Sequence, residues 1–165
     1  MNKVILSLGS NVGDRVKNLY FALSLLEKKQ VLIQNISSIY KSESLLKDGQ
    51  REYFNMIVIA FTNYEPLLLL HTCKDIEEKM GRKKVKRWGE RVIDIDIIDF
   101  NSLVIKTKDL CVPHIEMVNR SFVLYPLYQV FKDYRHPIFK KNVKYFIDEL
   151  TDDLNIKRVG DLRWP

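Results

Sequence analysis

Residues 92–100 read Val-Ile-Asp-Ile-Asp-Ile-Ile-Asp-Phe, an alternation of aliphatic and acidic side chains that marks a β-strand. Side chains two apart on a strand share a face, about 6.6–6.8 Å along the chain. Asp94 and Asp96 therefore project together, while Ile93, Ile95 and Ile97 face the opposite side. That second face is core-like and predicts a strand in the centre of a sheet. Two adjacent carboxylates raise each other's pKa unless cations intervene. Oxygen-only donors, with no His or Cys beside them, favour a hard ion such as Mg²⁺, which takes one or two carboxylates plus substrate phosphates. The plainer alternative is a pair of surface acids held by nearby arginines.

Immediately upstream lies the charge of the chain. The whole sequence carries 27 Lys+Arg against 21 Asp+Glu, a net +6. Lys79, Arg82, Lys83, Lys84, Lys86, Arg87 and Arg91, with Glu90 as the only acid among them, account for all of it. A charge so concentrated suits a specific polyanion such as a nucleotide phosphate chain better than diffuse nucleic-acid binding. Arg82 and Arg91, at the two ends, are placed to clamp phosphate bidentately, whereas the lysines between them suit a solvated loop. Trp88 is unusual for a solvated tip and suggests a lid. Acids for metal and cations for phosphate are the two halves of a phosphoryl-transfer site.

Further out, residues 4–8 form a short apolar run closed by Gly9-Ser10-Asn11, which predicts a buried strand. Asp14 offers a cap to a helix that puts Leu19, Leu23 and Leu26 on one face. Residues 33–40 and 54–62 are β-branched-rich and predict two more strands. Pro66 opens a second helix, with Leu69, Leu70, Cys73, Ile76 and Met80 as its stripe and Gly81 as its stop. Residues 103–107 read as an edge strand paired across the turn at Asn101-Ser102. Residues 119–127 predict a short helix interrupted at Pro126, and residues 143–150 another. The order strand–helix–strand–strand–helix–strand is the split βαβ plan. The expected fold is α+β and ferredoxin-like, a mostly antiparallel sheet with helices packed on its faces, as one domain over residues 1–165.

The remaining features set bounds. A hydrophobic content of 46% with 6 Gly and 5 Pro is ordinary globular composition. Cys73 and Cys111 lack metal or disulfide spacing and fit a reducing cytoplasm. No apolar run approaches a membrane span, and residues 4–8 are too short for a secretory core. The expectation is a cytoplasmic monomer that binds neither nucleic acid nor membrane. His114, Tyr53 and Asn55 carry weaker signals: a phosphate donor beside Arg120 and Phe122, and a ring and an amide for a flat heterocycle. The stretch from Gly9 to Gly13 is neither GxGxxG nor a loop ending in GK[ST]. An RNA-binding module on the same plan needs aromatic side chains on the sheet face where Asp94 and Asp96 stand.

The run from Arg87 to Ile98 resembles the signature of the 6-hydroxymethyl-7,8-dihydropterin pyrophosphokinases. Every specified position is met: a basic residue, any residue, Gly, a small or acidic residue, Arg, two of any kind, Asp-aliphatic-Asp and two aliphatics. The likeness extends through Leu8-Gly9-Ser10-Asn11, Tyr53-Phe54-Asn55, Glu77, Gly81-Arg82, Val112-Pro113-His114 and Asn119-Arg120-Ser121-Phe122, across roughly residues 3–130. It implies transfer of the terminal diphosphate of ATP, as one unit, to the hydroxymethyl oxygen of the reduced pterin, with AMP leaving and the product going toward folate. It further implies two Mg²⁺ ions on Asp94 and Asp96, and Arg82, Arg91 and His114 on the phosphates. The pterin would stack between Tyr53 and Phe122, with Asn55 on its polar edge, Ser42 and Leu45 beside it and Arg120 lining the site. Trp88 would ride a lid that closes once both substrates are bound. Leu70, Ile98 and Leu110 would border adenine, with Glu77 and Lys84 also on the ATP side. Lys84 stands in for a family arginine in a segment one residue shorter than usual. Glu43-Ser44 replaces a frequent proline pair, and Asp109, Cys111 and Ile115 depart from the pattern on the ATP side.

Overall fold

A computed structural model describes residues 1–45, 49–81, 90–152 and 154–165. Arg82, Lys84 and Trp88, with most of the basic segment, lie outside the described residues. The elements run β1 (Asn2–Ser10), α1 (Arg15–Lys28), β2 (Leu32–Ile36), β3 (Ile39–Ser42), β4 (Tyr53–Thr62), α2 (Pro66–Lys79), β5 (Asp94–Phe100), β6 (Ile105–Lys106), β7 (Cys111–Val112), a 3₁₀ turn (Met117–Asn119), α3 (Ser121–Val130), α4 (Val143–Asp148) and β8 (Lys157–Gly160). The main sheet is ordered β5-β1-β4-β3-β8, with β2 also on β4, and every described pairing in it is antiparallel. This is the expected α+β architecture, a sheet with helices on both faces.

Sequence periodicity assigns the two faces. Along β1, Val4, Leu6 and Leu8 meet Leu19, Leu23, Leu26, Leu69, Cys73 and Ile76 of α1 and α2 in one core. The Asp14 carboxylate caps α1 by accepting from the Lys17 N–H at 3.0 Å, worth about 1 kcal/mol. On the other face, Ile5, Ile57, Ile59 and Ile98 meet Val123, Leu124 and Leu127 of α3, and Val143 and Phe146 of α4. Each buried aliphatic side chain contributes about 1.5–3 kcal/mol, so both faces drive the chain to this register.

Four expectations need correction. β5 is the terminal strand of the sheet and not a central one. Two of its outward backbone groups are paired all the same: the Glu77 carboxylate accepts from the Ile95 N–H at 2.7 Å and the His114 N–H donates to the Ile98 carbonyl at 2.8 Å. At these two positions Glu77 and His114 stand in for a neighbouring strand. Residues 103–107 do not pair with β5; only Ile105–Lys106 is strand, and it pairs with Cys111–Val112 in a separate ribbon. The strand over 33–40 is broken at Ser37-Ser38, where the Ser37 hydroxyl accepts from the Ile57 N–H at 2.9 Å in place of a regular ladder bond. Pro126 does not interrupt its helix, which runs from Ser121 to Val130; the burial of Val123, Leu124 and Leu127 offsets the one missing backbone bond.

Candidate active site

The face of the sheet that carries Ile5, Ile57, Ile59 and Ile98 changes character toward one end. β1 continues from Ile5 to Ser7 and Gly9, β4 runs back from Ile57 to Asn55 and Tyr53, and β5 runs back from Ile98 to Asp96 and Asp94. The register aligns these positions across three strands. Asp94 and Asn55 both stand opposite Gly9, and Asp96 stands opposite Ser7. Above this polar floor lies an open cavity, walled by Glu43, Ser44 and Leu45 after β3 and by Arg120 and Phe122 around the start of the helix Ser121–Val130.

Gly9 makes the floor possible. A Cβ there would come within 3.2 Å of the Asn55 Oδ1 and 3.6 Å of the Tyr53 ring. Asn55 is 3% exposed, and its Nδ2 donates to the Ser42 hydroxyl at 2.9 Å and the Tyr40 carbonyl at 3.3 Å. The amide is thereby held in one orientation, with its oxygen over Gly9.

The acidic side of the cavity is tied down from three directions. Asn11, 1% exposed, donates its N–H to the Arg91 carbonyl at 3.1 Å and accepts from the Arg91 N–H at 2.8 Å. The glycine-flanked loop after β1 thus brackets the backbone of Arg91. The Arg91 guanidinium in turn pairs with the Asp94 carboxylate at 2.7 Å. Glu77, fully buried, holds the Ile95 N–H between the two aspartates and pairs with Lys74 at 3.1 Å.

The charges follow from this enclosure. Burial, and then the neighbouring Asp94, push the Asp96 carboxyl up to about 6, while Lys74, Arg120 and Arg91 pull the other way. Burial, and then Arg120, push His114 down to about 4, so its imidazole is neutral at pH 7. The His114 Nδ1 accepts from the Glu116 N–H at 3.2 Å, which leaves Nε2 to carry the proton as a neutral donor. At the start of α3 the Arg120 guanidinium lies 5.7 Å from the Phe122 ring centre.

Of the residues singled out in the sequence, Ser42, Leu45, Tyr53, Asn55, Arg91, Asp94, Asp96, Arg120 and Phe122 all line this one cavity. Leu70 packs at the margin of the α1–α2 core, and Ile98 and Leu110 are buried in the cores. Glu77 lies behind β5, and His114 sits beside the strand's free edge; neither lines the cavity. Ser7 lines it without a signal of its own in the sequence, and Gly9, Glu43 and Ser44, noted there as parts of motifs, line it too. Ser7 and Gly9 were discoverable as the small members of the face that begins with Ile5.

A family model for 7,8-dihydro-6-hydroxymethylpterin-pyrophosphokinase matches residues 5–132. The chain belongs to this family. It is 40% identical over 151 residues, 92% of this chain and 94% of the relative, to the 2-amino-4-hydroxy-6-hydroxymethyldihydropteridine pyrophosphokinase of Aquifex aeolicus. To the Bacillus subtilis enzyme of the same name it is 39% identical over 130 residues, 78% of each chain. Among solved structures, the wild-type Plasmodium falciparum HPPK-DHPS with pteroate superposes with a TM-score of 0.75 at 20% identity, over 90% of this chain and 42% of that one. That likeness supports the fold. In a pyrophosphokinase of this family the cavity floor, with two acids at one end and an amide and aromatic rings at the other, becomes the place to look for both substrates.

Proposed function

We propose that this cavity seats the pterin against Tyr53, Asn55 and Phe122, and that Asp94 and Asp96 hold two Mg²⁺ ions that accompany ATP. The activity is that of a pyrophosphokinase of folate biosynthesis acting on hydroxymethyldihydropterin. Diphosphate moves as one unit from ATP to the hydroxymethyl oxygen, and AMP leaves. The observation that carries the site assignment is the register of Asp94, Gly9 and Asn55 across adjacent strands. It sets a cation-seeking pair beside a heterocycle-sized recess on one rigid surface.

The family uses ATP with magnesium, and the donor set suits that ion. Two carboxylates face the same cavity, and burial, followed by Asp94, raises the Asp96 pKa against the pull of Lys74, Arg120 and Arg91. Among the described residues no group of three His, Cys, Asp or Glu could hold a metal, so phosphate and water would complete the coordination, as Mg²⁺ prefers. When bound, Mg²⁺ supplies the positive charge that neutralises phosphate oxygens and acidifies the pterin hydroxyl. Arg91 orients Asp94 and presents its remaining guanidinium donors toward the phosphates. His114 offers them a neutral Nε2–H, while Arg120 lines the cavity beside the pterin. By resemblance, Arg82 and Lys84 belong to the phosphates and Trp88 to a covering lid. Leu70, Ile98 and Leu110 belong to the adenine, and Glu77 to the ATP side through its hold on β5.

We take residues 1–165 to act as one unit, monomeric and cytoplasmic. β8 pairs with β3 and Trp164 packs on Tyr20 with ring centres 5.2 Å apart, which ties the segment beyond the family match to the same sheet. Both cysteines are unpaired thiols, and no described helix is long and apolar enough to cross a membrane.

The test is AMP release from Mg-ATP as a function of 6-hydroxymethyl-7,8-dihydropterin. One AMP per pterin diphosphate, with none when the pterin is omitted, is expected. Pterin-independent nucleotide hydrolysis would contradict the reading. Gly9→Ala tests the floor: the added methyl pushes on Asn55 at a cost of about 1 kcal/mol, or roughly fivefold in pterin affinity. ATP affinity should be unchanged in the same calorimetric titration.

A further inference from the structure

The stretch after α4 has no part in the chemistry above, yet it touches both side walls of the cavity. The Asp152 carboxylate accepts from the Ser121 N–H at 2.6 Å. Ser121 opens α3, whose N-cap residue Arg120 provides no side-chain cap, so a carboxylate 31 residues away does that work. The two neighbours of Ser121, Arg120 and Phe122, form one cavity wall. Two residues after Asp152 the chain reaches the other wall. The Leu154 carbonyl accepts from the Glu43 N–H at 2.9 Å, and the Asn155 Nδ2 donates to the Glu43 carboxylate at 2.6 Å. Glu43, Ser44 and Leu45 form that wall. Leu154 is 4% exposed and anchors the crossing. Asn155, with φ of 49°, takes the left-handed turn that Asn tolerates and leads the chain toward β8 alongside β3.

We propose that Asp152, Leu154 and Asn155 form a clasp that sets the separation of the two walls and thereby governs pterin affinity. The proposal rests on the cavity being the pterin site. Asp152 and Asn155 are positioning residues in it, and neither lines the cavity. Nucleotide binding rests on β5, Arg91 and His114, none of which, among the described residues, bonds to the clasp.

The experiment is calorimetric titration of 6-hydroxymethyl-7,8-dihydropterin into enzyme holding Mg²⁺ and a non-hydrolysable ATP analogue, alongside titration of the analogue alone. Asp152→Ala removes a charge-assisted bond and is expected to weaken pterin binding about tenfold, raising KM while kcat at saturating pterin and analogue affinity stay within twofold. Asp152→Asn, which keeps an oxygen acceptor, recovers most of the loss. Asn155→Gly keeps the left-handed backbone, removes only the bond to Glu43, and shows a smaller loss in the same direction. Pterin affinity within twofold of wild type in Asp152→Ala overturns the clasp, as does a parallel fall in pterin and nucleotide affinity. If Asp152→Ala does not fold, wild-type pterin affinity in Asn155→Gly overturns it. Asn55→Ala separates the two levels. Should that variant bind pterin normally, the cavity reading fails and the clasp with it; should it bind weakly while Asp152→Ala does not, the clasp alone fails.

Discussion

Replacing Asp96 by Asn is expected to abolish diphosphate transfer, by about a thousandfold or more, while raising the melting temperature of the cation-free protein. Both signs come from one circumstance. Asp96 is an enclosed carboxylate beside a second carboxylate, and burial followed by Asp94 lifts its pKa from 3.8 to about 6. A carboxylate with a raised pKa contributes most to stability when protonated. That contribution is full below the unfolded value of 3.8, falls as the pH climbs toward 6, and is absent above. At pH 8 the amide removes an uncompensated charge and should add a few degrees to the melting temperature; at pH 3.5 variant and wild type should melt together. Asp94→Asn should also abolish transfer, but it releases Arg91 from its 2.7 Å partner, so no gain in stability is expected there. Thermal melts at the two pH values, with Mg²⁺ removed, together with the AMP-release assay, check both halves. A variant melting below wild type at pH 8 would mean that Asp96 serves the fold and not a cation.

Glu77→Ala should be the most damaging single change behind the site. The wild-type carboxylate is fully buried and satisfies the Ile95 N–H on the free edge of β5 while pairing with Lys74. Alanine leaves a buried donor without its acceptor and a cavity beside it, at a cost of about 2–4 kcal/mol. That corresponds to a fall of roughly 5–15 °C in melting temperature for a domain of this size. Ile95 lies between the aspartates, so a shift of its backbone moves both carboxylates, and kcat should fall about a hundredfold. Glu77→Gln keeps an acceptor oxygen for Ile95 and should retain most of the stability. If Glu77→Ala and Glu77→Gln melt at the same temperature, the bond to Ile95 is not what holds the strand.

The particular residues explain what the sequence disclosed and what it hid. The two faces of the sheet were legible because Ile93, Ile95 and Ile97 alternate with Asp94 and Asp96, and because Leu19, Leu23 and Leu26 repeat at helical spacing. The position of β5 was not, because an edge covered by Glu77 and His114 leaves the same aliphatic pattern as a central strand. Those covering groups arrive from 18 residues before Ile95 and 16 residues after Ile98, and no local rule links them. β8 was invisible for a similar reason. Its residues are largely exposed, and its hold on the sheet comes from polar contacts such as the Arg158 Nε donating to the Ser38 hydroxyl at 2.8 Å, 120 positions away. The helix through Pro126 was misjudged because its burial outweighs one lost hydrogen bond, a balance that only tertiary packing reveals. In the cavity, the charged and aromatic members stood out in the sequence. Of the small residues that make room for them, Ser7 did not, and Gly9 stood out only as part of a turn and a motif.

Every role proposed for the site depends on Asp94 and Asp96 bringing the divalent cation to the nucleotide. The direct measurement is the affinity of a non-hydrolysable ATP analogue, determined with Mg²⁺ and with the metal chelated, for wild type and for the Asp94→Asn/Asp96→Asn double variant. In wild type Mg²⁺ should tighten binding at least about tenfold, and in the double variant that gain should disappear, a coupling read directly from the four affinities. The same Mg²⁺-dependent gain in both proteins would contradict the account.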